Sequence, residues 1–214
     1  MSIKRNLEGP IIDKGENTEY LICFLHGWGS DGNDLIQIGE MWTSKLPNIT
    51  LISPNGPEVC AGNPNGRQWF DILSNNQEET LNGLNQSYID LKSYLKIYLE
   101  KYKLSSDKFF LVGFSQGTML ALYTSLREKL SGVVGYSGAF LGNIPNDKVE
   151  KNDYLLLHGK KDNVVPIEKM HKAIESLQKI SNFLDSKIYN DLEHSINEEG
   201  LLEGLNFIKE RIRT

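Results

Sequence analysis

Cysteine is scarce in this chain: Cys23 and Cys60 are the two in 214 residues. Two such residues make no disulfide framework, and neither has metal-ligand spacing. Cys23 falls in an apolar run and reads as core. Cys60 falls in a Gly/Pro/Asn-rich stretch and reads as a free thiol whose reactivity the sequence leaves open. Long hydrophobic runs are missing too. No stretch approaches the about 18 apolar residues a membrane-spanning helix needs, so no transmembrane segment is expected. The opening MSIKRNLEGPIIDKGENTEY holds no apolar block of roughly 7–15 residues, which excludes a signal peptide and makes a cytoplasmic location the expectation. Like charges form no block, and the net charge is −5. That balance argues against nucleic acid as a partner. Internal repeats and low-complexity tracts are also absent. What remains, 39% hydrophobic and 24% charged residues, is the composition of an ordinary globular protein.

Apolar runs and helical periodicities alternate along the chain. Tyr20 to His26 (YLICFLH), Ile49 to Ile52, Phe109 to Val112, Gly132 to Tyr136, Tyr154 to Gly159 and Phe183 to Tyr189 read as strands. Between them, helical spacing predicts a helix after a cap at Asn33 or Asp34, and another over Gln77 to Tyr102. Further helices are expected from Pro166 to about Ile180 and from Glu198 to Arg213. This alternation predicts one α/β domain over residues 1–214, a mostly parallel central sheet with helices on both faces. The stretch from Pro54 to Gly66, with three prolines, three glycines and three asparagines, reads as an irregular surface loop. In such sheets ligands bind at the carboxyl ends of the strands.

The run Lys108 to Tyr123, KFFLVGFSQGTMLALY, reads as an apolar strand, a sharp corner and an amphipathic helix. The corner Gly113-Phe114-Ser115-Gln116-Gly117 is a G-x-S-x-G pattern, which presents a serine hydroxyl at the sheet edge on a strained turn. Glycines occupy the flanking places because side chains there would collide with the turn. The five residues alone also fit a plain strand–turn–helix, so partners for Ser115 decide the matter.

A serine needs a base, and the base needs an orienting acid. On this elbow the chain order is serine, acid, histidine. His26 lies upstream, His158 sits at a strand end with no suitable loop acid before it, and His171 lies within a helix. His194, on a polar loop after the last strand, has the expected context. Asp162 stands just past the carboxyl end of Tyr154–Gly159, although an aspartate before Pro166 also suits a helix start. Asp153 lies at the wrong edge, and Asp191 and Glu193 are too close to His194. The oxyanion of acyl transfer needs two N–H donors. Gln116, following the serine, supplies one, and Trp28 in the loop His26-Gly27-Trp28-Gly29 supplies the other, its ring walling the site.

These residues resemble the phospholipase/carboxylesterase family of small α/β-hydrolases, which includes bacterial carboxylesterases and acyl-protein thioesterases. The matching pieces are LHGWGSDG (25–32), WFDI (69–72), VGFSQG (112–117), LLHGKKDNVVP (156–166) and HSI (194–196), in family order. The resemblance implies a single-domain α/β-hydrolase fold, with Ser115 as nucleophile, Asp162 as acid and His194 as base. It implies Trp28 and Gln116 as oxyanion donors and places Ile72 and Val164 near an acyl pocket as substrate-binding candidates. The aromatic pair Trp69-Phe70 after the long loop fits a core plug as well as a binding role, and Trp69 is the third substrate-binding candidate. It further implies a small-molecule ester or acyl substrate and no metal or cofactor. The sequence departs from the family at Trp28, commonly leucine, at Glu193, commonly a small residue, and at Thr118, commonly glycine or alanine. Lysophospholipase activity, and a non-catalytic ligand-binding protein on the same fold, stay open as alternatives. Oligomeric state and acyl-chain length are not legible.

Overall fold

A computed structural model describes residues 5–13, 17–146 and 148–212. Uninterrupted apolar runs become interior strands because a sheet covered on both faces exposes no side chain to water. Strand β2, Tyr20–Leu25, is buried at every position. With β1 (Ile11–Ile12), β3 (Ile49–Ile52), β6 (Phe109–Phe114), β7 (Gly132–Tyr136), β8 (Asp153–Gly159) and β9 (Phe183–Tyr189) it builds one seven-stranded sheet. The remaining strands, β4 (Glu58–Cys60) and β5 (Asn63–Gln68), stand apart as a two-stranded ribbon. The order of the large sheet is β1-β3-β2-β6-β7-β8-β9. β1 pairs antiparallel with β3, and the other neighbouring pairs are parallel.

Alternate side chains of β2 feed two cores. Leu21, Cys23 and Leu25 join Leu84, Leu91 and Leu95 of α2 (Gln77–Tyr102) and Leu120 of α3 (Gln116–Ser125). Met170 and Leu177 of α4 (Ile167–Leu177) close the same layer. On the opposite face Tyr20, Ile22 and Phe24 meet Leu35 and Ile36 of α1 (Gly32–Thr43) and Leu205, Phe207 and Ile208 of α5 (Glu198–Ile212). Each fully buried leucine or phenylalanine contributes about 1.5–3 kcal/mol relative to exposure. The predicted three-layer α/β architecture is therefore the observed one.

Several local expectations change. Helix α1 is capped by Asp31, whose carboxylate accepts from Asn33 and Asp34 N–H, and not by Asn33 or Asp34. Helix α3 is not amphipathic but buried on nearly every side, because it lies between the sheet and α2. The Pro54–Gly66 stretch is not irregular throughout: it supplies most of the β4–β5 hairpin, antiparallel with a bulge at Val59/Cys60. Pro64 is tolerated there because a two-stranded ribbon has free edges that require no proline N–H. Cys60 lies buried in that hairpin, and both cysteines are free thiols. No helix among the described residues is long and apolar enough to cross a membrane.

Candidate active site

The parallel sheet runs in opposite directions of chain order on either side of β2, with β3 on one flank and β6 on the other. That switch point opens a crevice at the carboxyl ends of the strands. Ser115 stands there, immediately after β6, with φ 53° and ψ −114°. A non-glycine residue in this region costs on the order of 1–3 kcal/mol and persists only where its surroundings hold it. Here the Ser115 N–H donates to the Tyr136 carbonyl at 2.9 Å. A Cβ at Gly117 would lie 1.8 Å from the Leu25 carbonyl oxygen, and one at Gly113 would lie 2.5 Å from the Thr118 nitrogen. The elbow therefore closes only with glycine at both places.

Ser115 occupies the N-cap of α3, yet its side chain makes no capping bond. A serine at that position ordinarily spends its oxygen on the helix N–H groups. The strained backbone turns this hydroxyl away, so it stays available for chemistry. Gln116 N–H begins the helix and has no helical carbonyl behind it. Among the described residues neither it nor the Trp28 N–H is given to another backbone carbonyl. The Trp28 loop abuts the serine, since a Cβ on Gly27 would sit 3.5 Å from Ser115 Cβ.

Asp162 is buried in the turn after β8. Its Oδ1 accepts the N–H groups of Val164 at 2.9 Å and Val165 at 2.8 Å. Its Oδ2 accepts from His194 Nδ1 at 2.7 Å. The helix-start role and the role toward His194 thus coexist on two oxygens of one carboxylate. Because Nδ1 carries the proton in that bond, a neutral His194 keeps its Nε2 lone pair for another partner. Ser115 Oγ makes no hydrogen bond among the described residues, a looseness common at such sites before substrate binds. Phe114, beside Ser115, packs its ring on the His194 imidazole with centroids 4.9 Å apart.

Backbone bonds align the two loops. Lys160 N–H donates to Tyr189 O at 2.9 Å, and Lys161 N–H to Leu192 O at 3.0 Å. Gly159 permits this approach, as a Cβ there would lie 2.3 Å from the Leu192 carbonyl oxygen. Ser137, a second strained serine at φ 48°, reaches the Ser195 carbonyl from the end of β7 at 3.4 Å. Ser137 carries no motif that sequence reading singles out, whereas Gly159 lies within LLHGKKDNVVP (156–166).

The side chain of Gln116 is a clamp. Its Oε1 accepts Trp69 N–H at 2.9 Å and its Nε2 donates to Phe70 O at 2.8 Å. Trp69 is fully buried, its indole N–H on the His26 carbonyl and its ring against the His26 imidazole. The substrate-binding reading of Trp69 therefore needs correction: the ring offers no face to a ligand and instead holds the loop of His26 against the elbow. Ile72 and Val164 are exposed apolar side chains. The Trp28 indole lies over Gly62 of the hairpin, and its N–H donates to Gln68 Oε1 at 3.0 Å. Gln68 in turn donates to Glu58, which pairs with Arg5. Thr118 fits because residues 135 and 138 beside it are glycines, and its hydroxyl donates to Tyr136 O at 2.8 Å.

His26 is buried and its protonation state follows from its partners. Gly56 N–H donates to Nε2 at 2.8 Å, so Nε2 is an acceptor and Nδ1–H donates to Gly27 O at 2.7 Å. Burial pushes its pKa below the usual 6.5. A group of this kind binds its proton more readily when unfolded, so its stabilising contribution is whole above the unfolded value near 6.5 and is lost as pH falls below it. Thermal unfolding is therefore expected at a lower temperature at pH 5.5 than at pH 7.5. His26→Gln, which cannot titrate, should flatten that slope; an unchanged slope would contradict the assignment.

A cavity of about 690 Å³ opens beside His194, between α1 and the loop after β9. Ile38, Met41, Phe114 and Ile196 give it apolar walls, and Asp34 and Glu40 border it. No group of histidine, cysteine and carboxylate side chains among the described residues is arranged to hold a metal ion.

Comparison with known proteins agrees with this fold. The esterase YpfH of Escherichia coli K12 is 25% identical over 196 residues, covering 89% of this chain and 82% of the relative. The acyl-protein thioesterase 1 of Candida albicans is 30% identical over 216 residues, covering 91% and 93%. The crystal structure of esterase PE8 superposes with a TM-score of 0.89 at 32% identity over 96% of this chain and 99% of that one. The family model for phospholipase/carboxylesterase matches residues 8–212. With an α/β sheet, a G-x-S-x-G elbow at its switch point and a match over nearly its full length, the chain belongs to the phospholipase/carboxylesterase family of α/β-hydrolases.

Proposed function

We propose that this carboxylesterase/thioesterase-type hydrolase cleaves carboxylic esters or thioesters through an acyl-enzyme on Ser115. The observation that carries the reading is the Asp162–His194 hydrogen bond at the same sheet edge as a strained serine whose hydroxyl is not used as a cap. His194 Nε2 takes the Ser115 proton as Oγ attacks the acyl carbon. The N–H groups of Trp28 and Gln116 receive the oxyanion. His194 then returns the proton to the departing alcohol or thiol, and water repeats the cycle on the acyl-enzyme. Asp162 holds the imidazole in the tautomer that keeps Nε2 basic. A leaving group protonated by His194 must lie on the His194 side, where the open cavity is. The Trp28 indole, anchored to the hairpin, favours short acyl chains.

The test is hydrolysis of a p-nitrophenyl ester series from acetate to palmitate, with an acyl thioester alongside, and fluorophosphonate labelling of the protein. Turnover that is fastest with short chains, and a label on Ser115, are the expected results. A protein that neither hydrolyses any member nor takes the label is a binding protein on a hydrolase fold.

A further inference from the structure

The two N–H groups that would receive the oxyanion come from segments far apart in sequence. The ladder between β2 and β6 has its last pair at Leu25 and Gly113. Past it, no backbone bond among the described residues joins residues 27–29 to residues 115–117. Trp69 spans that gap. Its backbone N–H donates to Gln116 Oε1 and its indole N–H donates to the His26 carbonyl, both at 2.9 Å. Trp69, Gln116 and His26 are all buried. On the elbow side the Gln116 carboxamide is held at both ends, because its Nε2 also donates to Phe70 O at 2.8 Å. That side chain and one oxyanion donor belong to the same residue. On the other side the Trp69 ring lies against the His26 imidazole, with centroids 5.2 Å apart. His26 Nδ1–H donates to the Gly27 carbonyl at 2.7 Å, since Gly56 N–H occupies Nε2. The Gly27 carbonyl and the Trp28 N–H are the two ends of one planar trans peptide and point in opposite directions. Holding that carbonyl on the His26 ring therefore aims the Trp28 N–H away from the ring.

We propose that Trp69 is a positioning residue of the hydrolytic reaction, its backbone N–H and indole N–H together setting the separation of the Gln116 and Trp28 N–H groups. The proposal rests on Ser115 as nucleophile and on those two groups as oxyanion donors. Its physical content is preorganisation. Donors of this kind act at about 2.7–3.1 Å from the developing charge, and removing one costs about 10²–10³ in kcat. Two donors on separate loops keep such a spacing when a rigid, buried group fixes both loops. Trp69 does so without touching substrate, because its ring is enclosed. The bond to Gln116 comes from the backbone and survives a change of side chain. The indole N–H on the His26 carbonyl is the half that a substitution removes.

The deciding measurement compares p-nitrophenyl butyrate with its thiono analogue, in which C=S replaces C=O, in wild type and Trp69→Phe. Phenylalanine keeps an aromatic ring and removes the indole N–H. A second variant carries benzothienylalanine at position 69, where sulfur replaces the N–H and the ring shape is kept. It serves if phenylalanine prevents folding, which thermal unfolding reports. Sulfur accepts hydrogen bonds weakly, so the thiono ester gains little from the two donors and wild type should prefer the oxygen ester. In both variants kcat for the oxygen ester should fall by about 10–100-fold with KM little changed, and the oxygen-to-sulfur rate ratio should fall by roughly tenfold or more. A ratio that stays at the wild-type value in the folded variants, whether both esters slow equally or neither slows, overturns the proposal and leaves Trp69 a packing residue. A wild type that does not discriminate between the two esters overturns the donor assignment, and the proposal with it. Failure of the nucleophile assignment appears separately, as a wild type that takes no fluorophosphonate label on Ser115.

Discussion

Ser115→Ala is expected to lower kcat for ester hydrolysis by on the order of 10⁴–10⁶-fold while leaving the protein folded. The magnitude follows from covalent catalysis: without Oγ no acyl-enzyme forms, and what remains is binding and the two N–H donors acting on water. The small structural effect follows from the hydroxyl having no hydrogen bond among the described residues and no capping role. Alanine also bears the strained φ of 53° no worse than serine does, since both carry a Cβ. Activity assays and thermal unfolding on the same preparation check both halves. A loss of less than about tenfold would place the nucleophile elsewhere.

Asp162→Asn is expected to lower kcat by about 10⁴-fold, through the tautomer and not through packing. The native Oδ1 accepts two amides, a role an asparagine carbonyl oxygen can fill. The amide nitrogen then falls where Oδ2 receives His194. The Nδ1–H donor would face an NH₂ group. His194 relieves this by moving its proton to Nε2, and Nε2 then cannot accept from serine. The variant should still take substrate, so KM changes much less than kcat. An Asp162→Asn protein within about tenfold of wild type would show that the carboxylate does not orient the base.

Local chemistry made much of this molecule legible. Short runs rich in branched side chains predicted β3 at Ile49–Ile52 and β7 at Gly132–Tyr136 with their observed bounds, and helical periodicity predicted α2 at Gln77–Tyr102. Such patterns are readable because burial on a strand or helix repeats with the period of the element. The elbow was legible for a similar reason, as two glycines flanking a serine encode a close approach to the backbone. Elements stabilised by distant partners were not. The β4–β5 hairpin, dense in Pro, Gly and Asn, resembles a loop residue by residue. Its order comes from outside its own sequence: Arg67 exchanges backbone bonds with Gly29 and Ser30, and Asn63 Nδ2 donates to Gly29 O. Trp69 looked like a ligand contact because an aromatic pair after a loop carries no signal of which ring is enclosed.

The sequence by itself determined the family, the sheet and the order of serine, acid and histidine along the chain, since each is written in short-range pattern. Tertiary structure alone decided which imidazole Asp162 would hold. His158 lies near Asp162 in space, but its Nε2 bonds the Val165 carbonyl, so the carboxylate holds His194. His194 is 32 residues away and arrives through backbone bonds between the loops after β8 and β9. Hydrogen bonds depend on distances of about 3 Å in space, and spacing along a chain specifies such distances only within a single turn of structure.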